Sequence, residues 1–403
     1  MPQHSAKRGL KKFPHWIWIT AVVFGTAYFL FRNPSAAPAP EAPAPAAQSS
    51  SASRSDTFNV WVKRAYAVDE LFHLVYTPCW EGAYGAIGDA YLYSVTHDSS
   101  IMLFHLRDHP LPRMCAGTWV DDRAWVCLAE LLWYRVTGKQ DAALLEDARR
   151  RYDEARAEGR LSHSEGFWSW YNWPPGPRPD KRIFTNSNMN QMATVAAELY
   201  EETGIQKYRD DAFLVWSGDR QAPGVVKQLY RGGGVWQGTA GLAAFGKQLP
   251  WEGSEYSSLG AALYRISRDK SILGIVSATV RHIMDPATGW VDSQSYYQLR
   301  MDGNGAFVNF LLDAYSIAPV ELHDLPAKIE AMLTHVWTNH GGTATVVLHR
   351  TGDNGIRNGW NPRGGEDGYG VDEVGTVHAQ GEAMRAFGTF AYYYTTAAAA
   401  RNR

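Results

Sequence analysis

LLWYRVTGKQDAAL (131–144), AELYEETGIQKYRD (197–210) and AALYRISRDKSILG (261–274) share one design: an apolar helix end carrying a tyrosine, a short turn, and the start of a second amphipathic helix. The tyrosines Tyr134, Tyr200 and Tyr264 are 66 and 64 residues apart. A helix–turn–helix unit repeated at that period predicts a helical solenoid or its closed form, a toroid of helix hairpins. Gly138 and Gly204 stand where a left-handed residue ends the first helix of each unit, and the third joint lacks a glycine there. Apolar residues at three- and four-residue spacing recur in TFNVWVKRAYAVDELFHLVY, FVNFLLDAYSI and QGEAMRAFGTFAYYYTT, so the folded part reads as all-α. Long loops rich in Trp, Gly, Pro and Asn alternate with the hairpins. They include EGFWSWYNWPPGPRPDKRIFTNSN, RGGGVWQGTAGLAAFGKQLPWEG and HRTGDNGIRNGWNPRGGEDGYGVDEVG. Loops of this length in a compact domain usually carry function, and their alternation gathers them at one mouth of a toroid.

The chain has 403 residues, a formal net charge of −2 and 45% hydrophobic residues, enough for a large core and without an electrostatic reason to bind nucleic acid. Trp 16, Tyr 21 and Phe 15 exceed the needs of packing alone. An indole offers a flat apolar face and one N–H donor, which suits a sugar ring, although for any single tryptophan core packing is the competing reading. At the N-terminus a basic tail (residues 1–12) precedes an uncharged apolar segment (13–32) containing WIWITAVVFGTAYFLF, then a Pro/Ala/Ser linker (33–56). This order predicts one N-terminal transmembrane signal anchor, or a signal peptide cleaved in the Ala-rich run, ahead of a domain over 57–403. Either reading places that domain outside the cytoplasm, tethered to the membrane or secreted. The three cysteines, Cys79, Cys115 and Cys127, do not make a disulfide scaffold. One bridge between Cys79 and Cys115 suits an oxidising compartment, and Cys127 reads as a small buried apolar residue.

WVDDRAWVCLAELLWYRVTG (119–138) sets Asp121 and Asp122 side by side at the head of an apolar helix, between Trp119 and Trp125. Aspartate at a helix start has a purely structural use, because free N–H groups and the macrodipole favour negative charge there. Two adjacent carboxylates, however, repel each other, and in a partly dry site one keeps its proton while the other is ionised. A retaining glycosidase needs this division: one carboxylate to attack and one carboxylic acid to protonate the leaving oxygen, about 5–5.5 Å apart.

The order of motifs WVDDRAWVCLAELLWYRVTG, EGFWSWYNW and TNSNMNQMATVAAELYEETGIQKYRDDA resembles glycoside hydrolase family 76, the endo-α-1,6-mannanases. The resemblance runs from about Phe58 to the C-terminal helix and is strongest over Trp119–Ala212. It implies an (α/α)6 barrel and a retaining mechanism, with Asp121 as nucleophile and Asp122 as general acid/base. It also points to Trp168 and Trp170 as sugar-stacking residues and to Asn186, Asn188 and Asn190 as hydroxyl contacts. For the asparagines, capping of the following helix is the alternative. Trp80, Trp119 and Trp360 complete the aromatic candidates. Where the family carries Tyr-Asn-Gln-Gly, this chain has WEGSEYSSLG (251–260), which brings Glu255 toward the cleft. The expected partner is a polysaccharide or glycolipid, cleaved or transglycosylated, with no cofactor.

Two other functions use the same architecture: sugar epimerisation, which depends on paired histidines, and non-catalytic glycan binding at the membrane. His163, His282, His335, His340 and His378 form no HExxH pattern or close metal spacing. MDGNGAF and TGDNGIRNG lack calcium-loop periodicity, and no nucleophile elbow, P-loop or dinucleotide fingerprint is present.

Overall fold

The computed structural model describes residues 59–114, 119–164, 166–168, 187–237, 250–288, 304–339 and 377–401. The apolar segment 13–32 and the linker lie outside these residues. Among the described residues no helix is long and apolar enough to cross a membrane. Thr57–Arg403 forms one compact unit.

Its elements, in order, are α1 (Val60–Val75), α2 (Trp80–Thr96) and the short α3 (Ser99–Leu103), which runs into a π-helical turn (Phe104–Asp108). A 3₁₀ turn (Leu111–Arg113), α4 (Val120–Val136), α5 (Ala142–Ala157) and the strands β1 (Leu161–Ser162) and β2 (Phe167–Trp168) follow. Then come α6 (Ser187–Thr203), α7 (Gln206–Trp216), α8 (Gly224–Leu229), α9 (Pro250–Ser267) and α10 (Lys270–Ile283). The last are α11 (Asn304–Ile317), α12 (Leu325–Asn339) and α13 (Val377–Arg401), with a 3₁₀ turn (Pro286–Thr288) before α11.

Six helices close a ring: α2 packs on α4, α4 on α6, α6 on α9, α9 on α11, α11 on α13, and α13 back on α2. Outside it, α5 backs α4, α7 backs α6, α10 backs α9, and α12 touches α11 and α13. The sixth pair joins the two ends of the domain, because α1 packs on α13 with Trp61 edge-on to Phe390 at 4.8 Å. This is the all-α toroid of helix hairpins expected from the repeat.

The joints explain the repeat physically. Gly138 (φ 73°) and Gly204 (φ 68°) are left-handed, as their placement predicts, and the third joint fills the same position with Arg268 (φ 59°). A fourth joint escapes the sequence pattern: Tyr93 is followed four residues later by His97 (φ 51°). The N–H groups of His97, Gly204 and Arg268 each donate to the carbonyl of the repeated tyrosine at 2.8 Å. In the remaining joint it is Lys139 that donates to Tyr134, also at 2.8 Å. Asp98, Asp141 and Asp269 then cap the next helix by accepting N–H bonds from Ser100, Ala143 and Ser271.

Helix α2, WEGAYGAIGDAYLYSVT, shows no clear apolar stripe because glycines interrupt it. One of them, Gly88, serves the ring closure. A Cβ on Gly88 would stand 2.2 Å from the carbonyl oxygen of Met384, and one on Gly388 would stand 2.2 Å from that of Gly88. The first and last inner helices therefore meet backbone to backbone, a separation that only missing side chains permit.

Candidate active site

Cross-ring contacts fix the direction of the inner helices. Gly381 lies against Glu81 and Gly85, whereas Gly388 lies against Gly88. Gln191 donates to the Glu255 carbonyl at 3.2 Å near the starts of α6 and α9, while Arg265 reaches Glu198 near their ends. Glu382 accepts the N–H of Ala306 at 2.9 Å near the starts of α11 and α13. The inner helices thus run parallel, and their N-termini gather at one mouth. Six converging N-termini make that mouth favourable for carboxylates and for anionic character developing on a bound molecule.

Asp121 and Asp122 are the second and third residues of α4. They are not its N-cap: Trp119 occupies that position, in extended conformation and without a side-chain capping bond. Neither aspartate is therefore the N-cap residue itself, although both carboxylates lie in the first turn, where free N–H groups and the helix dipole favour them. Asp121 is half-buried, and Asp122 is buried at 6% exposure. Consecutive helical positions point about 100° apart around the axis, so the two carboxyl groups diverge and present unequal exposure. Arg123, the next residue, turns to Glu158 at 3.0 Å.

The other expected residues divide into three groups. Trp80, the first residue of α2, and Trp119 are both half-buried, with Trp80 edge-on to Tyr84 at 6.2 Å. They keep aromatic surface at the mouth. Asn190 and Glu255 are buried, at 1% and 3% exposure. Asn190 accepts the Trp168 backbone N–H at 3.1 Å and faces the Tyr256 hydroxyl at 3.5 Å, so it ties the β1–β2 hairpin to the start of α6. Trp168 departs from expectation. It is fully buried and packs edge-on against Tyr152 at 5.4 Å, so its ring is committed to the core rather than offered to a sugar. Asn188 lies in the first turn of α6. Trp170, Asn186 and Trp360 lie outside the described residues.

Several residues of the mouth give little signal in sequence. Glu81 stands in the first turn of α2 and Gln380, Glu382 and Arg385 within the first three turns of α13, and all but Glu81 are buried. Arg385 forms the floor. Its guanidinium lies 5.5 Å from the ring of Tyr84, 5.1 Å from Trp125 and 5.1 Å from Phe310, while its Nε donates to Asn309 at 2.9 Å. Trp125 and Phe310 come from opposite sides of the ring, yet their ring centres are 6.1 Å apart. The lumen is thus stoppered by stacked aromatics and one arginine just below the acid pair. Burial pulls the Arg385 guanidinium below its ordinary range, with Glu382 acting against that shift. A cavity of about 330 Å³ lies beneath this floor, lined by Tyr91, Arg135, Glu198, Arg265 and Asp313 among others, away from the acid pair.

Cys79, just before α2, is disulfide-bonded, and Cys127 is a free buried thiol. The third cysteine, Cys115, lies outside the described residues.

No protein-family model matches the chain, and no curated protein matches it. Solved structures do. The Lin0763 protein from Listeria innocua superposes with a TM-score of 0.59 at 15% identity, covering 83% of this chain and 98% of that one. The α-1,6-mannanase of glycoside hydrolase family 76 from Salegentibacter sp. HEL1_6 gives 0.59 at 14% identity, covering 82% and 99%. An inactive variant of that mannanase, with two consecutive aspartates replaced by asparagine, is known in complex with α-1,6-mannotriose and gives 0.56 at 15% identity over 82% and 99%. At such identity the likeness is one of fold.

Proposed function

We propose that this chain is a retaining glycosidase acting within α-1,6-linked mannan or a closely related α-glycan, with Asp121 as nucleophile and Asp122 as general acid/base. The observation that carries this reading is the position of two consecutive carboxylates in the first turn of an inner helix, at the mouth of a ring with the mannanase fold. A neighbour of that fold is inactive when two consecutive aspartates are replaced, which supports giving the same work to this pair.

In the first step the Asp121 carboxylate attacks the anomeric carbon as Asp122 gives its proton to the glycosidic oxygen. The aglycone leaves with that proton, and a glycosyl–aspartyl ester forms. Asp122, now ionised, takes a proton from water, whose oxygen displaces Asp121 and restores the original anomeric configuration. A sugar hydroxyl in place of water gives transglycosylation. The half-buried Asp121 and the buried Asp122 match this division, since the nucleophile must reach the sugar and the acid must hold its proton apart from bulk water. Trp80 and Trp119 provide apolar faces for flanking sugars. Membrane tethering through residues 13–32 would hold this activity at the outer face of the cell.

The test is incubation of the purified chain with α-1,6-mannan, followed by product sizing and anomeric proton NMR during the first turnovers. Shorter oligosaccharides whose new reducing ends appear first as the α-anomer are expected. Absence of cleavage across a panel of α-glycans, or initial β-products, would overturn the reading.

A further inference from the structure

A second constellation stands apart from the mouth, where α1, α2 and the π-helical turn meet. Asp69 and His73 come from α1, Asp89 from α2 and His105 from the turn. His105 Nε2 lies 2.6 Å from Asp89 Oδ2, and His73 Nε2 lies 3.0 Å from the same oxygen. His73 Nε2 is also 3.0 Å from Asp69 Oδ1. The donor atoms of His73, Asp89 and His105 all fall within 4.8 Å of one another. Two imidazole nitrogens and the Asp89 carboxylate therefore converge, with Asp69 against His73 beside them, although the residues are scattered over three elements.

Hydrogen bonding alone serves this arrangement badly. Asp89 and His105 are fully buried and Asp69 is 5% exposed. Asp89 Oδ1 has no hydrogen-bond partner. Among the described residues no lysine or arginine pairs with either aspartate, so two buried carboxylates lie beside two imidazoles and each other. Buried charge without compensation is costly, and a divalent cation would neutralise both carboxylates at once. In a tetrahedral site with bonds of about 2.0–2.1 Å, donor atoms are about 3.3 Å apart, so the 2.6 and 3.0 Å separations of His105 and His73 from Asp89 must open to admit an ion.

We propose that Asp69, His73, Asp89 and His105 form a structural zinc site. Two imidazoles with two carboxylates suit zinc, whereas calcium and magnesium take oxygen ligands. The closed, buried setting leaves no position for a substrate or a reacting water, which marks the ion as structural. The surroundings hold the ligands in place. Phe104 stacks on the His73 ring at 3.6 Å with 10° between planes, and Trp133 lies 5.3 Å from His105. The π-helical turn, an uncommon element often found at functional positions, gives His105 its direction. An ion here would clamp α1, the outer partner of α13, to α2, the first inner helix, close to the seam where the ring is completed.

The full chain, stripped with a chelator and dialysed, is titrated with Zn²⁺ while metal content is measured by mass spectrometry and unfolding by calorimetry. One zinc per chain and a rise of several degrees in the unfolding midpoint are expected, because a ligand that binds only the folded state stabilises it. Cobalt loading should give the visible d–d absorption of four-coordinate Co²⁺, a readout that needs no variant. His73→Gln and His105→Gln should each lower the stoichiometry well below one. Failure of the stripped wild type to take up zinc or cobalt, or uptake that persists unchanged in both variants, would overturn the site and leave a proton-linked His–Asp cluster.

Discussion

At one end of the inner ring Asp122, Glu255 and Glu382 lie buried within the first two turns of α4, α9 and α13. At the other end Arg135 and Arg265 stand in the last turns of α4 and α9, and both reach the glutamates of α6. Arg135 bonds Glu202 at 2.6 Å and Glu198 at 3.0 Å, Lys139 bonds Glu202 at 2.7 Å, and Arg265 bonds Glu201 at 3.1 Å. The acids at the mouth and the arginines ending α4 and α9 follow the helix dipole, whereas the glutamates ending α6 run against it and are held by those arginines. The two ends differ in how the charges are spent. At the base the ions neutralise one another across three helices and lock their ends. At the mouth Glu382 anchors the Ala306 N–H, and Asp121 and Asp122 stand in the first turn of α4 without being its N-cap residue. Charges locked in ion pairs maintain structure, whereas adjacent first-turn carboxylates at the mouth are where chemistry is expected.

This contrast is most sharply tested at the acid pair. Asp121→Asn and Asp122→Asn should each reduce turnover on α-1,6-mannan by about 10³-fold or more, with an unfolding midpoint close to wild type by calorimetry. A variant that loses activity only because it unfolds would erase the distinction between the two ends. Arg135→Ala should do the reverse. It removes one cation from Glu198 and Glu202, which keep Arg265 and Lys139, and since the pairs are partly exposed the expected loss is about 1 kcal/mol in denaturant unfolding, with turnover per folded molecule unchanged.

A pH measurement sharpens the picture of the base. Asp313, on the wall of the lower cavity, accepts bonds from Ser258 and Asn309. Burial pushes its carboxyl up to about 6, Arg265 and Arg385 pull it down, and Glu198 adds to the rise. Tyr91 of α2 and Tyr393 of α13 face the same space. The folded state therefore holds this proton more tightly than the unfolded chain does. Its contribution is complete below the ordinary value of 3.8 and is lost as pH rises to about 6. Asp313→Asn should flatten the fall in unfolding midpoint between pH 4 and 6, and an unchanged slope would remove Asp313 from the account. The smallest effect belongs to Arg268→Gly. Relief of the left-handed conformation is opposed by the greater freedom of glycine in the unfolded chain and by loss of the guanidinium over Tyr264 at 5.8 Å. A net gain of about 0.5 kcal/mol in denaturant unfolding is expected.

The hairpins were legible in the sequence because their joints obey local rules. A tyrosine carbonyl, a left-handed residue and an aspartate cap are all satisfied within a few residues of one another, so the repeat is visible without the rest of the chain. Helix α2 was illegible for the opposite reason. Gly82, Gly85 and Gly88 weaken its pattern; the purpose of Gly88 appears only when α13 lies against it, and that of Gly85 only when Phe72 of α1 does. The acid pair was equally plain, since adjacent aspartates beside tryptophans stand out in any reading. Trp168 misled because an aromatic-rich stretch looks the same whether its rings face a ligand or the core, and here the ring is packed on Tyr152. His73 and His105 escaped notice because they are separated by a helix and a half, and only the π-helical turn aims them at the same carboxylate.

Sequence by itself determined the helix–turn–helix repeat, the all-α class and the candidate acid pair, because each depends on spacing along one segment. The tertiary structure decided that six inner helices close a parallel ring, that their N-termini share a mouth and that Arg385 with Trp125 and Phe310 floors it. It also brought His73, Asp89 and His105 together, with Asp69 beside His73. Those properties rest on which distant segments touch, and contact between distant segments is set by packing of the whole chain rather than by any local preference.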